Sequence, residues 1–208
     1  MPRRNSPRSE NLRRALAQEA ARVMAEHGIQ DFRAAKRKAA VRFGVGEDGA
    51  LPSNSEVEAA LVEYQRLFAA DSHGATLRAQ RSAALRAMRT LAAFSPRLVG
   101  PVLNGTATAH TDVQLHLFTD RPESVALNLM DRGVGHEVGE HRLRLDAERF
   151  RIYPTVRFEL DQQVIDATVF PLDGIRQAPV SPVDGRPMRR ADASELEALL
   201  TGEGSPRL

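Results

Sequence analysis

The chain has 208 residues, 42% of them hydrophobic and 27% charged, which is material for one large domain or two small ones and excludes a wholly disordered or membrane-embedded chain. With no cysteine, disulfides, thiolate metal sites and cysteine nucleophiles are excluded, and zinc would have to rely on six histidines whose spacing shows no ligand pattern. The net charge of +2 hides an asymmetry: residues 1–97 hold 17 Lys and Arg against 10 Asp and Glu, and the remainder holds 12 against 17, so the first half suits either a polyanionic partner or solvated helix faces.

The chain opens with a basic, Pro- and Ser-rich tail, residues 1–8, that lacks the apolar core of a signal peptide and is expected to be disordered. No apolar run approaches bilayer length, so a cytoplasmic protein with no membrane partner is expected. Residues 9–82 read as a helical domain. Ser9 caps a first helix in which Leu12, Leu16, Ala20, Val23 and Met24 recur at helical spacing, and Gly28 stops it. A second helix from Asp31 sets Phe32, Ala35, Ala39 and Phe43 on one side and Arg33, Lys36, Arg37 and Lys38 largely on the others. That basic face is the densest in the chain and is the candidate nucleic-acid contact, chiefly to phosphates. Ser53 and Glu56 form a capping box ahead of a third helix with an apolar stripe of Val57, Leu61, Tyr64, Leu67 and Phe68. A fourth helix follows His73-Gly74, carries Leu77, Leu85, Met88 and Leu91 towards a core, and ends at Pro96.

From Leu98 to Asp120 the pattern changes to strand, turn and strand, with Asp112, Gln114 and His116 on one face of the second strand. The order Gly100-Pro101, Gly105-Thr106-Ala107, then Asp112-Val113-Gln114-Leu115 resembles the signature of the DNA polymerase β-like nucleotidyltransferase superfamily. In that family a Gly-Ser pair ends the first strand near the nucleotide's phosphates, and an Asp-x-Asp pair opens the second. Alternate strand residues share a face, so such a pair sets two hard oxygen ligands together for magnesium. Pro101 stands where the family has serine, removing a hydroxyl and an N–H. Gln114 stands at the second aspartate, removing a charge.

A helix from Pro122-Glu123 to Gly133 follows, with Val125, Leu127, Leu129 and Met130 mostly buried. Strand-like runs then cover 136–145, 155–160 and 164–170, with a turn at Asp161-Gln162. This predicts an α+β protein, an N-terminal helical domain followed by a mixed sheet with flanking helices, and the resemblance implies that the sheet, over residues 83–173, is nucleotidyltransferase-like. The context Ile165-Asp166-Ala167 resembles the family's third carboxylate, with Glu159 as the fallback. Residues 174–208 form a Pro- and Arg-rich strap and a short helix capped by Asp192 and Glu195, and the strap's Arg176, Arg186, Arg189 and Arg190 are candidate phosphate contacts.

The resemblance implies that Asp112 and Asp166 are the catalytic and metal-binding carboxylates, and that Gly100, Gly105, Thr106, Gln114, His116 and Arg176 meet the nucleotide. Magnesium or manganese is the implied cofactor, held weakly or not at all by two carboxylates and an amide. The expected function is a divergent member with weak or lost transfer activity that binds a nucleotide or RNA. The rivals are an active enzyme moving a nucleoside monophosphate to a hydroxyl, and a protein-interaction module.

Overall fold

A computed structural model describes residues 7–46, 51–68, 70–146 and 148–202. The protein is α+β, and the chain divides into two compact units. One runs to Ala75 and takes in Thr108–Thr111 and Pro182–Asp184; the other comprises Thr76–Ala107, Asp112–Ser181 and the chain from Gly185 onward.

The first unit is built on α1 (Pro7–His27), α2 (Phe32–Arg42) and α3 (Asn54–Phe68). Helix α1 begins two residues before Ser9, with a proline in its first turn where no N–H is required. The rest of the expected tail, residues 1–6, lies outside the described residues. Leu16, Ala20, Val23 and Met24 of α1 share a core with Ala35, Ala39 and Val57, and the alanines, having little to bury but backbone, let the helices approach closely. Asp31 caps α2 by accepting from the Ala34 N–H at 2.6 Å. The capping box of α3 is closed in both directions, Ser53 N–H to Glu56 at 2.7 Å and Glu56 N–H to Ser53 Oγ at 3.1 Å. The stripe on α3 is shorter than its spacing predicts: Val57 and Leu61 are buried, whereas Leu67 and Phe68 are exposed.

The second unit holds most of α4 (Ala70–Thr90). That helix runs through His73-Gly74, where the sequence suggests a start, because one glycine costs a helix less than the continuing turns contribute. A 3-10 turn and Ser95, left-handed at φ 48°, then deliver the chain to β1 (Arg97–Val99). The expected turn after β1 is a short helix, α5 (Gly100–Asn104). Pro101 explains it: a fixed φ and a missing N–H suit the first helical turn and no other. Strand β2 (Val113–Phe118), α6 (Glu123–Asp131), β3 (His136–Arg144), β4 (Phe150–Leu160), β5 (Gln163–Phe170) and α7 (Ala193–Thr201) follow.

The sheet runs β1-β2-β5-β4-β3, with β2 and β5 parallel and the other neighbours antiparallel. Asp161 and Gln162, at φ 51° and 61°, make the tight β4–β5 turn whose twist matches the strands it joins. One sheet face, carrying Leu98, Leu115, Leu117, Val156, Phe158, Ile165, Ala167 and Val169, joins a core with Leu85, Met88 and Leu91 of α4, Val125 and Leu129 of α6 and Leu196 of α7. Leu127 and Met130, expected in that core, are exposed; α6 has room for one apolar stripe and presents Val125 and Leu129, four residues apart, to it. The helices therefore cover one face; the opposite face carries a second buried cluster, Phe118, Tyr153 and Phe170, at one end and polar groups at the other.

Candidate functional site

The polar face is assembled by the strand register. Gln114 of β2 lies opposite Asp166 of β5, Asp166 lies opposite Arg157 of β4, and Arg157 lies opposite Glu137 of β3. The next row is Arg97, His116, Thr168, Thr155 and Gly139. Because the side-chain period of a strand is two, these residues share the face opposite the core. Asp112, one residue before β2, is two positions from Gln114 and joins the same end of the sheet.

There the Arg157 guanidinium forms an ion pair with Asp112, Nη1 lying 2.9 Å from Oδ2, with the arginine side chain 47% exposed and the aspartate 18%. Asp166 is less exposed, and His141 Nε2 stands 3.5 Å from its Oδ2. The same imidazole meets Thr168 through Nδ1 at 3.4 Å. Burial holds the Asp166 carboxyl above the usual carboxylate range, against the opposing pull of His141 and Arg157 and with some help from Asp112. Asp112, Gln114 and Asp166 thus lie together, and a cation already sits on the first of them.

The glycine turn beside them is closed over. Gly100 has φ +70°, and a Cβ built on it would fall 2.3 Å from Gln114 Oε1, so the amide lies over the space that the glycine leaves. Gly105 and Thr106 are turned inward: both N–H groups donate to Pro101 O, at 2.8 and 3.0 Å, closing α5. Arg81 fastens the same helix end by donating to the carbonyls of Val102 and Leu103 at 3.1 and 3.2 Å. The backbone donors of Gly105 and Thr106 are thus engaged within the fold.

His116 is 3% exposed and accepts from Arg190 Nε through Nδ1 at 3.0 Å. Burial, followed by the charges of Arg190 and His141, pushes it down to about 3, so it is a neutral structural group. Arg190 also donates to the carbonyls of Gly174 and Ile175 at 2.9 and 3.1 Å and stacks on Phe118 and Phe170, 4.9 and 5.1 Å from their ring centres. It pins the strap to the sheet and is no free phosphate contact. Arg176 is exposed in the 3-10 turn Leu172–Arg176. That turn follows the last residue of β5, opposite Phe118, whereas Asp112 lies at the start of β2. Arg176 is therefore not brought to Asp112.

In the first unit, Arg33, Arg37 and Lys38 are exposed and pair with no acid among the described residues. Lys36 is different: its Nζ donates to Pro52 O at 3.1 Å and Asn54 Oδ1 at 2.8 Å, so it ties α2 to the start of α3.

Sequence patterning singles out neither Arg157 nor His141. A signal for the first exists, since Thr155, Arg157 and Glu159 alternate with Val156 and Phe158, but nothing local ties that face to Asp112. Among the described residues no three His, Asp or Glu side chains are grouped to hold a metal ion. With Arg157 on Asp112, an amide in place of a carboxylate and that amide turned onto Gly100, the donors do not fit a magnesium pair. Comparison with protein-family models, curated proteins and solved structures finds no match for this chain. Among the described residues no helix is long and apolar enough to cross a membrane.

Proposed function

We propose that the second unit is a divergent nucleotidyltransferase-like domain that binds a nucleotide and has weak or no transfer activity. The observation that carries this reading is the convergence of Asp112, Gln114 and Asp166 on one sheet face beside the Gly100 turn, with Arg157 paired to Asp112. Transfer by such enzymes depends on carboxylates that hold metal ions against the triphosphate. Here one carboxylate is paired to a guanidinium, one is an amide, and Asp166 faces an imidazole. The guanidinium is half exposed, and His141 stands beside Asp166, which suits a phosphate group.

Incubation with labelled nucleoside triphosphates and magnesium or manganese, wild type against Asp112→Ala, tests the transfer half. Labelling of the protein itself, RNA or a small hydroxyl acceptor should be weak or absent in both, and multiple-turnover transfer that Asp112→Ala abolishes would establish the active enzyme instead. Calorimetric titration tests the other half. A nucleoside triphosphate should bind the wild type and bind Arg157→Ala about tenfold or more weakly, as expected for loss of a charged hydrogen bond. Absence of binding to the wild type would end the reading. A second reading, RNA held by phosphate contacts in the first unit, is favoured by one observation: Arg33, Arg37 and Lys38 stand exposed on α2 without acidic partners among the described residues.

A further inference from the structure

Two acids on neighbouring strands are ordinarily explained by a cation between them, and here the chain supplies its own. Arg157 sits on β4, in register with Asp166 on β5, and its side chain reaches past that strand to Asp112 at the start of β2. The ladder fixes the arginine's backbone, so the guanidinium is held among the acids by the sheet itself. We infer that the Arg157 guanidinium is the resident cation of the Asp112 and Asp166 site, standing where a divalent metal would otherwise be held, so that the site works without one. The inference rests on reading this sheet face as nucleotidyltransferase-like.

Three features support it. A guanidinium stays charged at every physiological pH, so no change of buffer vacates the position. A metal ion would need oxygen ligands at about 2.1 Å, and Asp112 Oδ2 is already engaged by Nη1 at 2.9 Å; a divalent ion there would face a fixed positive charge at close range. With Gln114 in place of a third acid, the two remaining carboxylates carry less charge to outweigh that repulsion. The guanidinium has five N–H donors, and its Nη1 end is the one paired with Asp112. The half-exposed remainder is available to the oxygens of a phosphate.

Manganese itself is the probe, followed by electron paramagnetic resonance on the full chain, with circular dichroism to verify folding. Wild type should leave the signal of free manganese undiminished through the range in which Arg157→Gln takes up one ion, with an affinity gain of about tenfold or more. Adding Asp112→Asn to that variant should abolish the gain. Uptake of one manganese ion by the wild type, lost in Asp112→Asn alone, would overturn the inference whether or not Arg157→Gln folds. A folded Arg157→Gln that gains no manganese overturns it equally. The readout involves no nucleotide: a chain that binds none yet shows this response ends the proposed function and leaves the role of Arg157 standing.

Discussion

At the scale of single residues, the face opposite the core depends on groups held in one chemical state. His116 is neutral because burial excludes the charged form and Arg190 stands beside it. In the unfolded chain its pKa returns to the ordinary value near 6.5. Below that pH the unfolded state binds a proton that the native state refuses, so stability is intact above about 6.5 and falls as acid is added, down to about 3 where the native imidazole also protonates. The slope from this one group reaches at most about 1.4 kcal/mol per pH unit. His116→Gln keeps an acceptor for Arg190 and removes the titration, so urea midpoints between pH 5 and pH 7 should flatten relative to wild type; an unchanged slope would place the titrating group elsewhere. Gly100 is constrained differently. Its φ of +70° costs any other residue about 1–2 kcal/mol, and a Cβ would strike the Gln114 amide. Gly100→Ala should lower the unfolding free energy by at least that amount, and adding Gln114→Ala should recover only the contact part.

At the scale of elements, what the sequence makes legible is what is local. Gly28, Gly133 and Gly202, all at positive φ, end α1, α6 and α7 where the spacing stops. The capping boxes at Ser53 and Asp192 begin α3 and α7, because the paired side chains and the N–H groups they satisfy lie within four residues of one another. Burial at long range is less legible. Leu67, Phe68, Leu127 and Met130 have helical spacing yet remain exposed, since spacing marks a face but not whether another element covers it. The site shows the same limit. Asp112 and Asp166 are visible through their strand contexts, while Arg157 is not, because its meaning comes from a pairing register 45 residues away from Asp112 in sequence. The continuity of α4 through Gly74 is the element-scale finding that a substitution can check. In an uninterrupted helix Gly74→Ala should raise stability by about 0.5–1 kcal/mol, seen as a higher thermal midpoint. A lower midpoint would mean a break at His73-Gly74.

At the scale of the whole molecule, each unit pairs part of its positive charge internally. The arginines of α4 within the second unit are largely engaged by their own surroundings: Arg86 with Asp161, Arg89 with Glu197, Arg81 with the end of α5. In the first unit Arg22 and Arg42 both pair with Glu19, and Lys36 is tied to the start of α3. Arg33, Arg37 and Lys38 of α2 are exposed and pair with no acid among the described residues. A polyanion recruited there would be held by phosphate neutralisation, which gives affinity a logarithmic salt dependence of about 0.7 per contact for a single strand. Gel shifts of the full chain on an unstructured RNA should therefore weaken steeply as salt rises. Arg33→Glu with Arg37→Glu should lower the affinity and flatten the slope by about 1.4. Lys36→Met provides the internal comparison: its ammonium holds two elements of the unit together, so its loss should lower thermal stability and leave the salt slope as it was. If Lys36→Met instead flattens the slope as the arginine pair does, the lysine contacts the strand and its hydrogen bonds to Pro52 and Asn54 are surrendered on binding. If the wild-type affinity does not change with salt, the exposed charges of α2 hold water and not RNA.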